Sequence, residues 1–402
     1  MTTNPSAGRG IQDDSNGKGA SPGDQEFLDD AVLFEVMTTG RQQVGVATLN
    51  SPRTLNGLSL PMCELLHDKL MAWANDPSIA FVILTGAGGK AFCAGGDLHG
   101  IHGSILDNET GHAWDNTYTR RFFDIEYRLD YLIHDYPKPV VCWGSGIVMG
   151  GGVGLMMGAS HRVVSETTRF AMPEITIGLF PDVGGTWMLS RLPGGTGRFL
   201  AFTGAQLGAA DCLFLGLADC AVESGRWPEF LAAVQQTAWH DDADLNAVEL
   251  DRLLAAVAMP IAGPGVLQRH YAEIRQACDG HDFHAVCDAV AAFAGHSDPW
   301  LQKAAATFSA GSPGSARLSF TLLERARLLS LADVFRQEYI AVLHCGVQGD
   351  LQEGIRALLI DKDRQPRWNP ATLRDATPAW VERFFEAPWP LGDEHPLEDL
   401  GR

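Results

Sequence analysis

Short apolar runs of strand length, alternating with stretches of helical periodicity, predict an α/β fold whose strands are joined through helices. Three observations carry that expectation. The runs Phe81 to Thr85 and Pro139 to Trp143 are strand-like, and each leads toward a glycine-rich turn, Ala94-Gly95-Gly96-Asp97 and Met149-Gly150-Gly151-Gly152-Val153-Gly154 respectively. The second turn opens a stretch that reads as a helix. From about Pro228 the chain becomes helical and Ala-rich, with a shift near Ser312-Pro313-Gly314 before a last helical block.

The elements follow in order. The first thirty residues are rich in Gly, Ser and Asp and hold no hydrophobic signal core, and their acidic residues argue against a transit peptide. A disordered tail is expected over residues 1–30. Val32 to Met37 and Val44 to Leu49 read as a strand pair around Thr39-Gly40-Arg41. Pro61 behind Ser59 marks a helix start, and Met62, Leu65, Leu66, Leu70 and Trp73 give it an apolar face that ends near Asn75-Asp76-Pro77. Ala80 to Thr85 is the next strand. A longer helix is expected over Tyr118 to His134, with Phe122, Ile125, Leu129 and Leu132 on one side, followed by a strand at Val140 to Trp143. Further strand pieces lie at Arg162 to Ser165 and Arg169 to Ala171. Right-handed crossovers would join them. The expected organisation is a core over 31–225, a helical region over 226–375 and a C-terminal tail over 376–402.

Composition narrows the function. With 402 residues, 46% of them hydrophobic, the chain is long enough for a large core. A formal net charge of −19 argues against nucleic acid and against an anionic membrane surface, since both need a basic face. No apolar run approaches the roughly 18 residues of a membrane span. The eight cysteines form no Cys-x-x-Cys pair and sit mostly among apolar residues, as free thiols in a reducing cytoplasm would. His99/His102 and His281/His284 are spaced i,i+3 without a supporting carboxylate motif, so no metal site is expected.

The glycine turns carry the chemistry. With side chains nearly absent, backbone N–H groups are free to point into a cavity, and two that converge on one carbonyl form an oxyanion hole. Two acids follow closely, Glu174 in Met172-Pro173-Glu174 and Asp182 in Phe180-Pro181-Asp182-Val183-Gly184-Gly185. The apolar flanks Phe170, Met172, Ile175 and Ile177 point to a partly buried Glu174, and burial makes a carboxylate more basic. Two neighbouring carboxylates also push their titrations apart, so that one ionises while the other keeps its proton.

At these residues the chain resembles the crotonase, or enoyl-CoA hydratase/isomerase, superfamily. The matching segments are Leu49 to Leu58, Ala91-Phe92-Cys93-Ala94-Gly95-Gly96-Asp97-Leu98, Gly150-Gly151-Gly152, Pro173-Glu174-Ile175 and Gly184-Gly185-Thr186. Phe170 to Gly185 and the late block Gly354 to Asp363, with Pro366-Arg367-Trp368-Asn369-Pro370 behind it, resemble its 3-hydroxyisobutyryl-CoA hydrolase branch. The resemblance implies a ββα-spiral core with a helical C-terminal region, and an acyl-CoA substrate whose coenzyme A is part of the substrate rather than a cofactor. It implies that the N–H groups of Gly96 and Gly151 hold the thioester oxygen and that Glu174 attacks it or activates water. Asp182 stands where a typical hydratase has a small residue, and would carry a proton. Gly154 stands where such a hydratase has its second catalytic Glu. Glu126 matches a Glu that lines the acyl pocket. Arg53, Leu55, Ala94, Gly96, Asp97 and Leu98 match coenzyme contacts, with Lys90 a weaker candidate for phosphate. The resemblance implies a homo-oligomer, a trimer or hexamer, or else a helical C-terminal region that caps the site within one chain. The alternatives are an enoyl-CoA hydratase or isomerase and a non-catalytic acyl-CoA binder.

Overall fold

The computed structural model describes residues 31–108 and 110–402, and the tail expected over 1–30 lies outside the described residues. Strands β1 (Val32–Thr39) and β2 (Gln42–Leu49) form an antiparallel hairpin that pairs Val32 with Leu49 and Thr39 with Gln42. Gly40, at φ 85°, makes the tight reversal that a residue with a Cβ resists. From β2 onward the sheet is parallel: β3 (Ile79–Gly86), β5 (Val140–Gly144), β7 (His161–Val164) and β9 (Cys220–Ala221) continue it in the order β1-β2-β3-β5-β7-β9. Buried on both faces, β3 and β5 read as unbroken apolar runs rather than alternating ones.

A second, three-stranded parallel sheet contains β4 (Ala91–Cys93), β6 (Ile147–Met149) and β8 (Arg169–Ala171). Each of β3, β5 and β7 hands the chain within a few residues to a short strand of this sheet and then, for the first two, to a helix. That repeat is the ββα spiral. It also corrects the sequence reading: the glycine turns follow β4 and β6 directly, not the longer strands before them. Three-residue strands are too short to show a period.

The helix Leu60–Asn75 starts at Ser59, whose hydroxyl accepts the Met62 N–H at 3.4 Å. The helix Thr117–His134 is capped by Asn116, which accepts the Thr119 N–H at 3.1 Å. Its buried side is rotated from the expected one. Ile125 and Leu132 are half-buried, while Glu126, Tyr127 and Asp130 are buried with Phe122, Phe123, Leu129 and Ile133. Two acids therefore sit on a core-facing stripe.

Helices dominate from Trp227 on, and one apolar cluster runs from Val32 to Leu400. Residues 376–402, expected as a tail, fold back onto the core. Val381, Phe384, Leu397 and Leu400 are buried, and Arg128 donates to Asp399 at 2.8 Å and to the Pro396 carbonyl at 2.7 Å. All eight cysteines are free, seven of them buried. No described helix is long and apolar enough to cross a membrane.

Candidate active site

The two glycine turns meet at the floor of a cavity of about 680 Å³. Gly95, at φ 112°, lets the first turn approach the second: a Cβ there would lie 3.9 Å from the Gly151 nitrogen. A Cβ on Gly151 would lie 3.6 Å from the Gly96 nitrogen and only 2.6 Å from Glu126 Oε1. Gly152 would collide with the Cys93 carbonyl at 2.4 Å, so this helix start tolerates no side chain against β4. The helix Gly151–Gly158 begins here, its first N–H groups free of intrahelical partners and its positive end toward the cavity.

Hydrogen bonding sorts the candidate donors. The N–H of Ala94 is engaged by the Leu55 carbonyl at 3.1 Å, that of Asp97 by Leu58 at 2.8 Å, and that of Leu98 by Gly96 at 2.9 Å. The Gly96 and Gly151 N–H groups donate to no other group among the described residues. These are the two that an incoming carbonyl oxygen would find.

Glu174 opens a short turn, Glu174–Ile177, after β8. It is buried, its Oε2 lacks a hydrogen-bond partner, and a Cβ on Gly150 would lie 3.2 Å from its Oε1. Burial and then the charge of Asp182 push its carboxyl well above the usual range. Asp182 is equally buried and accepts the Tyr127 hydroxyl at 2.9 Å. Burial raises it to about 6, with the Tyr127 O–H working in the opposite direction by stabilising the ionised form. Glu126 lines the same cavity, raised by burial and by Asp182.

The loop bearing Asp182 is strained and clamped. Val183, β-branched, sits at φ 53°. Glu338, fully buried on the helix Leu331–Gln348, accepts the Gly184 N–H at 2.8 Å and the Thr186 N–H at 3.1 Å. Burial raises Glu338 to about 8 in spite of those bonds.

The rest of the wall comes from expected and unexpected places. Arg53, Ala94, Gly96, Asp97 and Leu98 line the cavity, whereas Leu55 and Lys90 do not. Leu55 contributes its carbonyl to the loop instead. The Asp97 carboxylate is occupied as the cap of the helix Leu98–Leu106, accepting the Gly100 N–H at 3.0 Å. From the late block, Leu351, Leu358 and Leu359 line the cavity. A Cβ on Gly354 would lie 2.3 Å from the Ile177 carbonyl carbon, so its glycine lets the C-terminal region press against the Glu174 turn. Tyr127, Asp130 and Glu338 went unread in the sequence. A core-facing acid at the Glu126-plus-four position was the one available sign of Asp130.

Among the described residues, one cluster outside the cavity has metal-ligand residue types: His270, Glu273 and His296. His296 Nδ1 accepts the Asp298 N–H at 2.9 Å, which places the ring proton on Nε2, where it donates to Glu273 at 2.9 Å. That tautomer offers a metal no lone pair, and the group reads as a hydrogen-bonded network.

Comparison with known proteins places the chain in a family. The family model for enoyl-CoA hydratase/isomerase matches residues 44–385. A mitochondrial 3-hydroxyisobutyryl-CoA hydrolase of Gallus gallus is 38% identical over 362 residues, 89% of this chain and 90% of that protein. 3-hydroxyisobutyryl-CoA hydrolase 1 of Arabidopsis thaliana is 34% identical, over 88% of this chain and 91% of its own. Among solved structures, a carnitinyl-CoA dehydratase from Mycobacterium thermoresistibile superposes with a TM-score of 0.79 at 37% identity, covering 92% of this chain and 99% of that one. An enoyl-CoA hydratase from Rhodobacter sphaeroides gives 0.76 at 32% identity, with 90% and 98% covered. The spiral of paired strands, the glycine turns and these matches lead to one conclusion: the chain belongs to the enoyl-CoA hydratase/isomerase, or crotonase, family.

Proposed function

We propose that this protein hydrolyses a short branched β-hydroxyacyl-CoA thioester, 3-hydroxyisobutyryl-CoA by preference, to 3-hydroxyisobutyrate and coenzyme A. The carrying observation is a buried Glu174/Asp182 pair in one cavity with two unengaged N–H groups, while Gly154 bears no carboxyl. Gly96 and Gly151 would hold the thioester oxygen, and donors fixed in advance stabilise the oxyanion without reorganising. The pair shares one proton. Asp182, favoured as an anion by Tyr127, ionises first, and Glu174 keeps the proton in the resting site. Once the carbonyl is seated, Glu174 passes that proton to Asp182. Its unpartnered Oε2 then delivers a lone pair to the carbonyl carbon, through one water that becomes the acid's oxygen, or directly to give a mixed anhydride that a water deprotonated by Asp182 afterwards cleaves to free Glu174. Asp182 protonates the departing sulfur. Glu126 faces the acyl group and suits its hydroxyl. Arg53, exposed at the rim, suits the coenzyme phosphates.

Hydration of an enoyl-CoA is the second reading, favoured by what the two superposed structures are said to be. Concerted addition of water would need a second carboxylate where this chain has Gly154. Thiol release from 3-hydroxyisobutyryl-CoA and crotonyl-CoA, followed in parallel with the enoyl absorbance, separates the two. Coenzyme A release from the hydroxy ester with an unchanged enoyl signal is expected. Loss of enoyl absorbance without thiol release would make the enzyme a hydratase.

A further inference from the structure

Behind the catalytic wall lies a second, much smaller cavity of about 30 Å³, lined among others by Asp130, His134, Gly154, Val183 and Trp187. That is room for about one water molecule. Asp130 is 2% exposed, and neither of its carboxyl oxygens has a hydrogen-bond partner among the described residues. It stands four residues after Glu126 on the same helix face, about 6 Å further along the axis. Val183 lines both cavities. The absent side chain of Gly154 keeps the space open: a Cβ there would lie 2.6 Å from Asp130 Oδ2 and 2.8 Å from Val183 Cβ.

The groups facing Asp130 are acidic or neutral. They are Glu126 and His134 on its own helix, Asp182 on the neighbouring loop, Glu338 on the helix Leu331–Gln348, and Cys63 from the helix Leu60–Asn75. Burial, then Glu126, Asp182 and Glu338, hold the Asp130 carboxyl well above its usual range, and burial lowers His134. A buried carboxyl with two unpartnered oxygens and no cation beside it weakens the fold, and an apolar residue of similar size would pack there more cheaply. Asp130 lines the second cavity, and Val183, the neighbour of Asp182, lines both, which gives the carboxyl a use.

We propose that Asp130 is a positioning residue that carries the net proton of each turnover from Asp182 to the second cavity. This rests on the hydrolase reading. In thioester hydrolysis the oxygen of water bonds to the acyl carbon and the C–S bond breaks. One hydrogen of water ends on sulfur, and the other is set free when the product acid ionises. That second proton must leave while coenzyme A and the acid still fill the front cavity. The two carboxyls share no hydrogen bond, so the proton crosses from Asp182 to one Asp130 oxygen through a water and leaves from the other, toward His134 and the water-sized space.

The test compares wild type with Asp130→Asn and Gly154→Ala in a stopped-flow experiment. A pH indicator follows the proton and a thiol reagent follows coenzyme A. In wild type the two signals coincide. In Asp130→Asn, close in shape and unable to relay, kcat falls about tenfold, a fraction of what loss of a direct acid or base costs, with KM unchanged and the thermal midpoint not lowered. Proton release then trails thiol release. Gly154→Ala keeps the Asp130 carboxyl group but closes the gap and presses on its Oδ2, and the same lag is expected, so a folding failure of either variant leaves the other to decide. Coincident signals at the wild-type rate in a folded variant overturn the relay. Absence of thiol release from wild type instead overturns the hydrolase reading, and the relay with it.

Discussion

Two residues in the cavity, Glu174 and Asp182, differ in their surroundings, and the roles proposed for them rest on that difference. Glu174 has an oxygen with no partner, and Asp182 has one held by the Tyr127 hydroxyl at 2.9 Å. The first has a lone pair open to a substrate; the second is held, and burial raises it to about 6. Glu174→Gln and Asp182→Asn should each lower kcat by about 10² to 10⁴-fold with little effect on KM, because in the proposed mechanism both act on the reacting atoms rather than on binding. Steady-state kinetics on 3-hydroxyisobutyryl-CoA measures this, and a variant that raises KM alone would remove its residue from the chemistry. Tyr127→Phe tests the titration. Losing the hydroxyl removes a bond that favours the Asp182 anion, so its pKa climbs from about 6. The acid limb of the kcat/KM profile should move to higher pH, and an unmoved limb would mean that another group governs it.

At the scale of elements, the loop bearing Asp182 depends on a helix far along the chain. Gly184 and Thr186 give their N–H groups to Glu338 on the helix Leu331–Gln348, and this holds Val183 in its left-handed conformation beside Asp182. Glu338→Gln turns a donor toward at least one of those N–H groups and should cost about 1–3 kcal/mol. A lowered thermal midpoint together with a reduced kcat is expected, and an unchanged midpoint would show that the loop holds itself. This dependence also marks where the sequence stopped being legible. Ser59 and Pro61 announced the helix Leu60–Asn75, and long apolar runs announced β3 and β5, because those signals are local. The glycine turns and both site acids were legible for the same reason. β4, β6 and β8 were not, since pairing partners rather than a period define a three-residue strand. Tyr127 and Glu338 were hidden because their role exists only once distant elements meet.

For the whole molecule, an acidic protein with several carboxyls buried together has a consequence for stability. Glu126, Asp130, Glu174, Asp182 and Glu338 are all raised, chiefly by burial. In the unfolded chain each would ionise near 4. Between that value and its folded pKa, such a group binds more protons folded than unfolded, so stability falls as pH rises through the window. Asp182 closes its window at about 6 and Glu338 at about 8. The formal charge of −19 adds self-repulsion in the same direction. On the acid side the sign reverses: Asp399, paired with Arg128, and Glu353 and Asp363, paired with Arg356, are held below their usual range. Their contribution is lost only as pH drops below about 4. The thermal midpoint should therefore peak near about pH 5 and decline steadily toward alkaline pH at fixed ionic strength. In Glu338→Gln the upper part of that decline, around pH 8, should flatten, since the group that titrates there is gone. A midpoint that rises from acid to alkaline pH would mean that these carboxyls are already ionised in the folded protein, and the shared proton of the catalytic pair would fall with that result.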